Sequence, residues 1–110
     1  MVSKSVLKGV RKYIEALQEQ GFVVKFGVVF GSQVTGNADV WSDIDLLVVS
    51  PRFDGLRDRN DIDMLWRTAA RTDNRIEPIP CGERQWHEDD SSAIIEIARR
   101  EGQAITADGN

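Results

Sequence analysis

A chain of 110 residues, 41% hydrophobic and 29% charged, specifies one folded domain with a real core and excludes an intrinsically disordered chain. Its formal net charge of −4 argues against general nucleic-acid binding, which depends on cations that neutralise phosphates. Cys81 is the one cysteine, so an internal disulfide and a Cys-based zinc centre are excluded, and a reducing cytoplasm suits it as a small buried side chain. The first residues, MVSKSVLKGV, lack the apolar stretch of a signal peptide. No apolar run approaches the roughly 18 residues that a membrane span needs.

Residues 3–20 are predicted to form a helix. Val6, Val10, Tyr13, Ile14 and Leu17 make one apolar stripe, and Gly21 ends it. Lys4, Lys8 and Lys12 line another face, expected to be solvated. Residues 22–30, FVVKFGVVF, are β-branched and aromatic and read as a buried strand, with Lys25 and Gly27 as positions of incomplete burial. Residues 31–42 are a connection in which Ser32 can begin a short helix. Residues 43–49 are a second strand, ended by Ser50-Pro51. After the charged loop 51–59, a helix is expected from Asn60 or Asp61 to about Arg71, with Ile62, Leu65, Trp66, Ala69 and Ala70 inward. A short strand covers Arg75 to Ile79, limited to an edge or an end by Pro78 and Pro80. Residues 81–90 read as a polar loop with room for one turn of helix. Ser91 or Ser92 caps a last helix through Arg100, with Ile94, Ile97 and Ala98 inward. The tail AITADGN is expected to fray, with Ile105 able to dock. This alternation means a sheet covered by helices.

Three features carry chemistry. Gly31-Ser32 follows a buried strand, where a glycine lets a phosphate approach the backbone and a serine adds a hydroxyl donor. Asp43 and Asp45 alternate within the next strand, so they share one face, roughly 7 Å apart along it. Two carboxylates that close repel, and a hard cation between them relieves both the repulsion and the cost of burial. Glu77 lies in the apolar segment Ile76 to Ile79 and is the preferred third carboxylate. Its rivals Asp61 and Asp63 sit where helix caps and first-turn acids belong. His87, in an acidic loop, is expected on the surface. Trp41 is expected to pack or anchor its loop, and Trp66 to join its helix's stripe.

Gly31-Ser32, ten residues, then Asp43-Ile44-Asp45 resembles the nucleotidyltransferase pattern of the DNA polymerase beta superfamily. With Gly36 and Ser42 to Val48 included, the string is similar to that of the minimal nucleotidyltransferases. The resemblance implies an α+β fold: a small mixed β-sheet flanked by helices, palm-like, over residues 1–110. It implies transfer of a nucleoside monophosphate, AMP from ATP in the expected case, onto a hydroxyl. It further implies that Gly31 and Ser32 hold the β- and γ-phosphates, that Asp43 and Asp45 bridge two Mg²⁺ ions, and that Glu77 completes the catalytic site. The chain departs from the family at two places: Glu77 stands where many relatives have Asp, and Thr35 where relatives often carry a basic residue. Arg52, Arg57 and Arg59 are candidates for the missing charge, though a solvated loop is their expected role.

Relatives that act on small molecules usually carry an extra helical domain for the acceptor. Minimal nucleotidyltransferases are commonly paired with a helical HEPN-domain protein, in some cases as antitoxin and toxin. The resemblance therefore implies an acceptor on a HEPN-type partner. Self-association is left open. Two rival readings remain at this level: a catalytically weak or inactive antitoxin that acts by contact, and a free-standing transferase for a small acceptor.

Overall fold

Helices cover both faces of a four-stranded sheet in the computed structural model, which describes residues 2–39 and 41–107. Helix α1 (Lys4–Glu19) leads into strand β1 (Phe26–Phe30), the short helix α2 (Ser32–Thr35) and strand β2 (Ile44–Ser50). A single 3₁₀ turn, Pro51–Phe53, precedes helix α3 (Arg59–Thr72). Strand β3 (Ile76–Gly82), helices α4 (Glu83–Glu88) and α5 (Ala93–Glu101), and strand β4 (Gln103–Ile105) complete the order. The sheet runs β3-β2-β1-β4. Strand β1 is antiparallel to β2 and β4, and β2 is parallel to β3. This is the expected α+β fold with a small mixed sheet flanked by helices.

Helix α1 forms where its stripe predicts. Ser3 caps it by accepting from the Val6 N–H at 3.2 Å. Gly21, at φ 85°, ends it, and the Phe22 N–H closes back on the Leu17 carbonyl at 3.0 Å. Val6, Val10, Tyr13, Ile14 and Leu17 are all buried, and each aliphatic one contributes roughly 1.5–3 kcal/mol relative to exposure. The Tyr13 hydroxyl donates to the Leu65 carbonyl at 3.0 Å, tying α1 to α3. Burial pushes the Tyr13 phenol well above its ordinary pKa.

Helix α1 also buries Gly9, which the stripe did not include. A Cβ there would lie 2.2 Å from Asp73 Oδ2, so the glycine makes room for that carboxylate. Asp73 in turn receives Arg75 twice: Nε at 3.0 Å and Nη2 at 2.6 Å. The pair fixes the turn that feeds β3.

Strand β1 starts at Phe26, four residues later than the expected 22. Residues 22–25 run extended, with Phe22 and Val24 buried and Lys25 exposed. Gly27 is fully buried, contrary to expectation, because a Cβ there would sit 2.9 Å from Leu46 Cδ1. Strand β3 runs on to Gly82, past both prolines. The Arg75 carbonyl accepts from the Ile44 N–H at 2.8 Å. By alternation the odd-numbered residues aim their backbone at β2, and Pro78 and Pro80 aim theirs at the open edge. No ladder bond is lost, and the prolines blunt the edge.

The apolar residues split between the two faces. Val29, Ile44, Leu46, Val48, Ile76 and Ile105 pack under α1 and α3. Val28, Leu47, Val49 and Cys81 pack under α4 and α5. The inward face of α3 is rotated from the expected one: Asp61, Leu65, Thr68 and Ala69 are buried, while Trp66 and Ala70 are exposed. Helix α5 buries Ile95 and Ala98, and Ile94 points outward. Residues 83–88 form a helix in what was expected to be mostly loop. Arg99 fastens α5 to it by donating to the Trp86 carbonyl at 2.7 Å and the Asp89 carbonyl at 2.5 Å.

The tail is ordered as far as it is described. Gln103 to Ile105 pair with Val29 to Gly27, which buries Ile105. The expectation of fraying at 108–110 lies outside the described residues. Among the described residues, no helix is long and apolar enough to cross a membrane.

Candidate active site

The last residue of β1, Phe30, pairs with Asp45 across the ladder. Gly31 follows at φ 78° and ψ −147°, a conformation open in practice to glycine alone. The turn it makes lies directly against the acidic strand: a Cβ on Gly31 would be 2.6 Å from Asp45 Oδ2. Ser32 opens α2, and Gly36, left-handed at φ 86°, closes it. Gln33 then ties this turn to the start of β2. Its Nε2 donates to the Ser42 carbonyl at 3.0 Å and the Asp43 carbonyl at 3.2 Å. Between them, Asp39 accepts from the Trp41 N–H at 2.8 Å, and the Ser42 hydroxyl accepts from the Asp39 N–H at 2.9 Å.

By strand alternation Asp45 shares the sheet face of Leu47 and Val49, and Asp43, which the sequence placed in the strand, lies just before β2 and close enough for its charge to act on Asp45. In the parallel register Glu77 stands directly opposite Asp45, one strand over. Neighbouring strands lie about 4.8 Å apart, so the two carboxylates are side by side. Exposure rises along both strands toward this end: Leu47 is buried, Asp45 half-buried and Asp43 exposed, while Cys81 is buried, Ile79 half-buried and Glu77 exposed. The sequence candidates Gly31, Ser32, Asp43, Asp45 and Glu77 therefore meet at one end of the sheet, past the cover of α4 and α5.

The three carboxylates interact. Desolvation, then the Asp43 charge, pushes Asp45 above the usual carboxylate range, and a hydrogen bond with Glu77 partly offsets this. Desolvation, then the charges of Asp43 and Asp45, pushes Glu77 up as well. Only hard oxygen donors are offered, and they suit a divalent cation such as Mg²⁺. Among the described residues, no three His, Cys, Asp or Glu side chains are already set around a common metal position. The fit is one of donor chemistry and mutual proximity.

The rivals go elsewhere. Asp61 is buried and paired with Arg52 at 2.9 Å, and Asp63 is exposed on α3. Arg52 also stacks over Phe22, its guanidinium carbon 4.9 Å from the ring centre, and Arg57 donates to Gln85 Oε1 at 2.7 Å. His87 is exposed, as expected. Trp41 does not pack into a core: it is 87% exposed in the loop that leads to Asp43. Trp86 packs edge-on against Phe26, ring centres 5.6 Å apart. Sequence reasoning missed Gln33, whose role depends on a fold-back that no local pattern encodes.

The chain belongs to the nucleotidyltransferase domain family, whose profile matches residues 10–101, from within α1 to the last residue of α5. Its size is consistent with a minimal nucleotidyltransferase. The chemistry of the family is nucleotidyl transfer. No curated protein matches the chain.

Proposed function

We propose that the protein is a Mg²⁺-dependent nucleotidyltransferase of the cytoplasm that moves AMP from ATP onto a hydroxyl, the whole chain acting as one domain. The observation that carries this reading is the meeting of Asp43, Asp45 and Glu77 beside Gly31. Asp43 and Asp45 would hold the metal, two ions in the full site, with Glu77 completing the set. When bound, Mg²⁺ supplies charge neutralisation at the phosphates and lowers the pKa of the attacking hydroxyl. Gly31 leaves the backbone open for close approach of a phosphate, and the Ser32 hydroxyl donates to it. The acceptor oxygen forms a bond to the α-phosphorus, the bond to the β-phosphate oxygen breaks, and pyrophosphate leaves. Glu77, opposite Asp45 on the neighbouring strand, would accept the acceptor's proton.

The acceptor is placed on a HEPN-type partner protein, with an antitoxin role in a toxin–antitoxin pair. Resemblance of the Gly31–Val48 string to minimal nucleotidyltransferases supports this, as does the exposed Trp41 near the site. The test is transfer of label from α-³²P-ATP with Mg²⁺, with and without a candidate partner. Label on the partner, lost with Asp43→Ala, is the expected result. Label appearing with Asp43→Ala would contradict the assignment. A second reading, a module that acts by contact alone, is favoured by the fully exposed Leu56 and by Trp41. It predicts partner binding that is indifferent to nucleotide and to Asp43→Ala.

A further inference from the structure

We propose that Arg75 binds the terminal phosphates of the nucleoside triphosphate, in a cavity that Ser32 shares with the first turn of α1. The proposal rests on the nucleotidyltransferase reading of the Gly31-Ser32 turn and adds a residue to it. The cavity measures about 440 Å³ and is walled by Ser3, Ser5, Ser32, Gln33, Gly36 and Arg75 among others. That volume falls within the range of small-ligand sites, roughly 300–1,000 Å³. Ser32 on the cavity wall is next to Gly31, where an added Cβ would lie 2.6 Å from Asp45 Oδ2. The Arg75 carbonyl bonds to the Ile44 N–H, between the two aspartates of β2.

Arg75 is the one cation that lines this cavity among the described residues. Its guanidinium is oriented before any ligand arrives. Nε and Nη2 donate to Asp73, and Nη2 also donates to Ser5 Oγ at 3.2 Å. Both N–H groups of Nη1 are left without a protein partner among the described residues. With Nε and Nη2 held by Asp73 and Ser5, Nη1 is left to donate to phosphate oxygens. The acid on the cavity wall, Asp39, is occupied within its own loop by the Trp41 N–H and the Ser42 hydroxyl. Of the cations that the sequence offered, Arg52, Arg57 and Arg59, none lines this cavity, and Arg52 and Arg57 are engaged with Asp61 and Gln85.

A purely structural role for Arg75, as the partner of Asp73, makes a different prediction, and titration calorimetry separates the two. ATP and AMP are titrated with Mg²⁺ into the wild type, Arg75→Met and Asp73→Asn, with the fold checked by circular dichroism. Loss of charge-assisted hydrogen bonds predicts ATP binding about 10- to 100-fold weaker in Arg75→Met. AMP binding should be unchanged, and Asp73→Asn, which keeps the Arg75 cation but loosens its orientation, should lose less ATP affinity than Arg75→Met. If Arg75→Met does not fold, Arg75→Lys, which keeps the charge and loses the fork, is expected to show the same ATP-selective loss on a smaller scale. ATP affinity unchanged in Arg75→Met overturns the proposal and leaves the wider reading standing. Equal losses for ATP and AMP, matched by Asp73→Asn, overturn it in favour of the structural role. No ATP binding by the wild type removes the nucleotidyltransferase reading and this proposal with it.

Discussion

Gly31→Ala probes the fold and the site together. Gly31 sits at φ 78° and ψ −147°, where a residue with a Cβ is strained by about 1–3 kcal/mol. The new Cβ would also meet Asp45 Oδ2 at 2.6 Å, so the carboxylate must swing away from its place beside Glu77. The expected loss is therefore at least about 1–3 kcal/mol, or a melting temperature lower by roughly 4–12 °C for a domain of this size. Gly36→Ala separates the two causes. It has φ 86° with nothing within 4 Å, so it carries backbone strain without the clash. Urea denaturation of Gly31→Ala, Asp45→Ala and the double variant supplies a cycle. Removing the carboxylate should reduce the cost of Gly31→Ala by the share that the clash contributes. Gly31→Ala should also lose nucleotide binding, whereas Gly55→Ala, open and exposed, should stay within about 0.5 kcal/mol of wild type. A Gly31→Ala protein as stable as wild type, or cost-free only with Asp45 intact, would refute the geometry.

Other outcomes follow from the packing and the charges. Gly9→Ala drives a Cβ to 2.2 Å from Asp73 Oδ2, so it should cost about 1–3 kcal/mol and disturb the Asp73–Arg75 pair; urea midpoints check this. Hydrogen bonds and charge from Arg75 hold Asp73 below the usual carboxylate range. Its contribution is thus complete above the unfolded-state pKa and is lost as pH falls through the folded value; Asp73→Asn should flatten that part of an acid stability profile. Asp45 and Glu77 act in the opposite sense. Their raised pKa values favour the fold at acid pH and weaken it as pH rises, so Asp45→Asn should be at least as stable as wild type at pH 7 while losing activity. Burial pushes the Cys81 thiol up to about 11, so thiol reagents should leave it unmodified in the native protein and modify it once urea unfolds the chain.

Local periodicity made α1 legible, because its whole stripe meets one face of the sheet. The meeting of the candidate residues was legible for a related reason: the Gly-Ser turn and the two aspartates lie within one short segment, Asp45 in β2 and Asp43 just before it. Glu77 was legible as a charge out of place in an apolar run. What failed depended on tertiary context. Three residues, Gln103 to Ile105, carry too little pattern to announce a strand, and only the edge of β1 makes them one. Pro78 and Pro80 signalled a strand end, yet their two-residue spacing aims both missing donors at the open edge. Trp66 fits a helical stripe but stands outside the buried face, since Asp61 and Thr68 occupy the inward side of α3, and Ile94 does so because α5 turns Ile95 and Ala98 inward. Arg75 gave no sequence signal at all. Its candidacy comes from a cavity assembled by α1, α2 and the turn before β3.

The central claim is that Asp43 and Asp45 hold a metal-bound nucleotide beside the Gly31-Ser32 turn. The most direct test is calorimetric titration of ATP with Mg²⁺ into the wild type and into Asp43→Ala/Asp45→Ala. Saturable binding by the wild type is expected, and it should disappear in the double variant while that protein's circular dichroism spectrum stays native. Equal binding by both proteins, or none by the wild type, would contradict that claim.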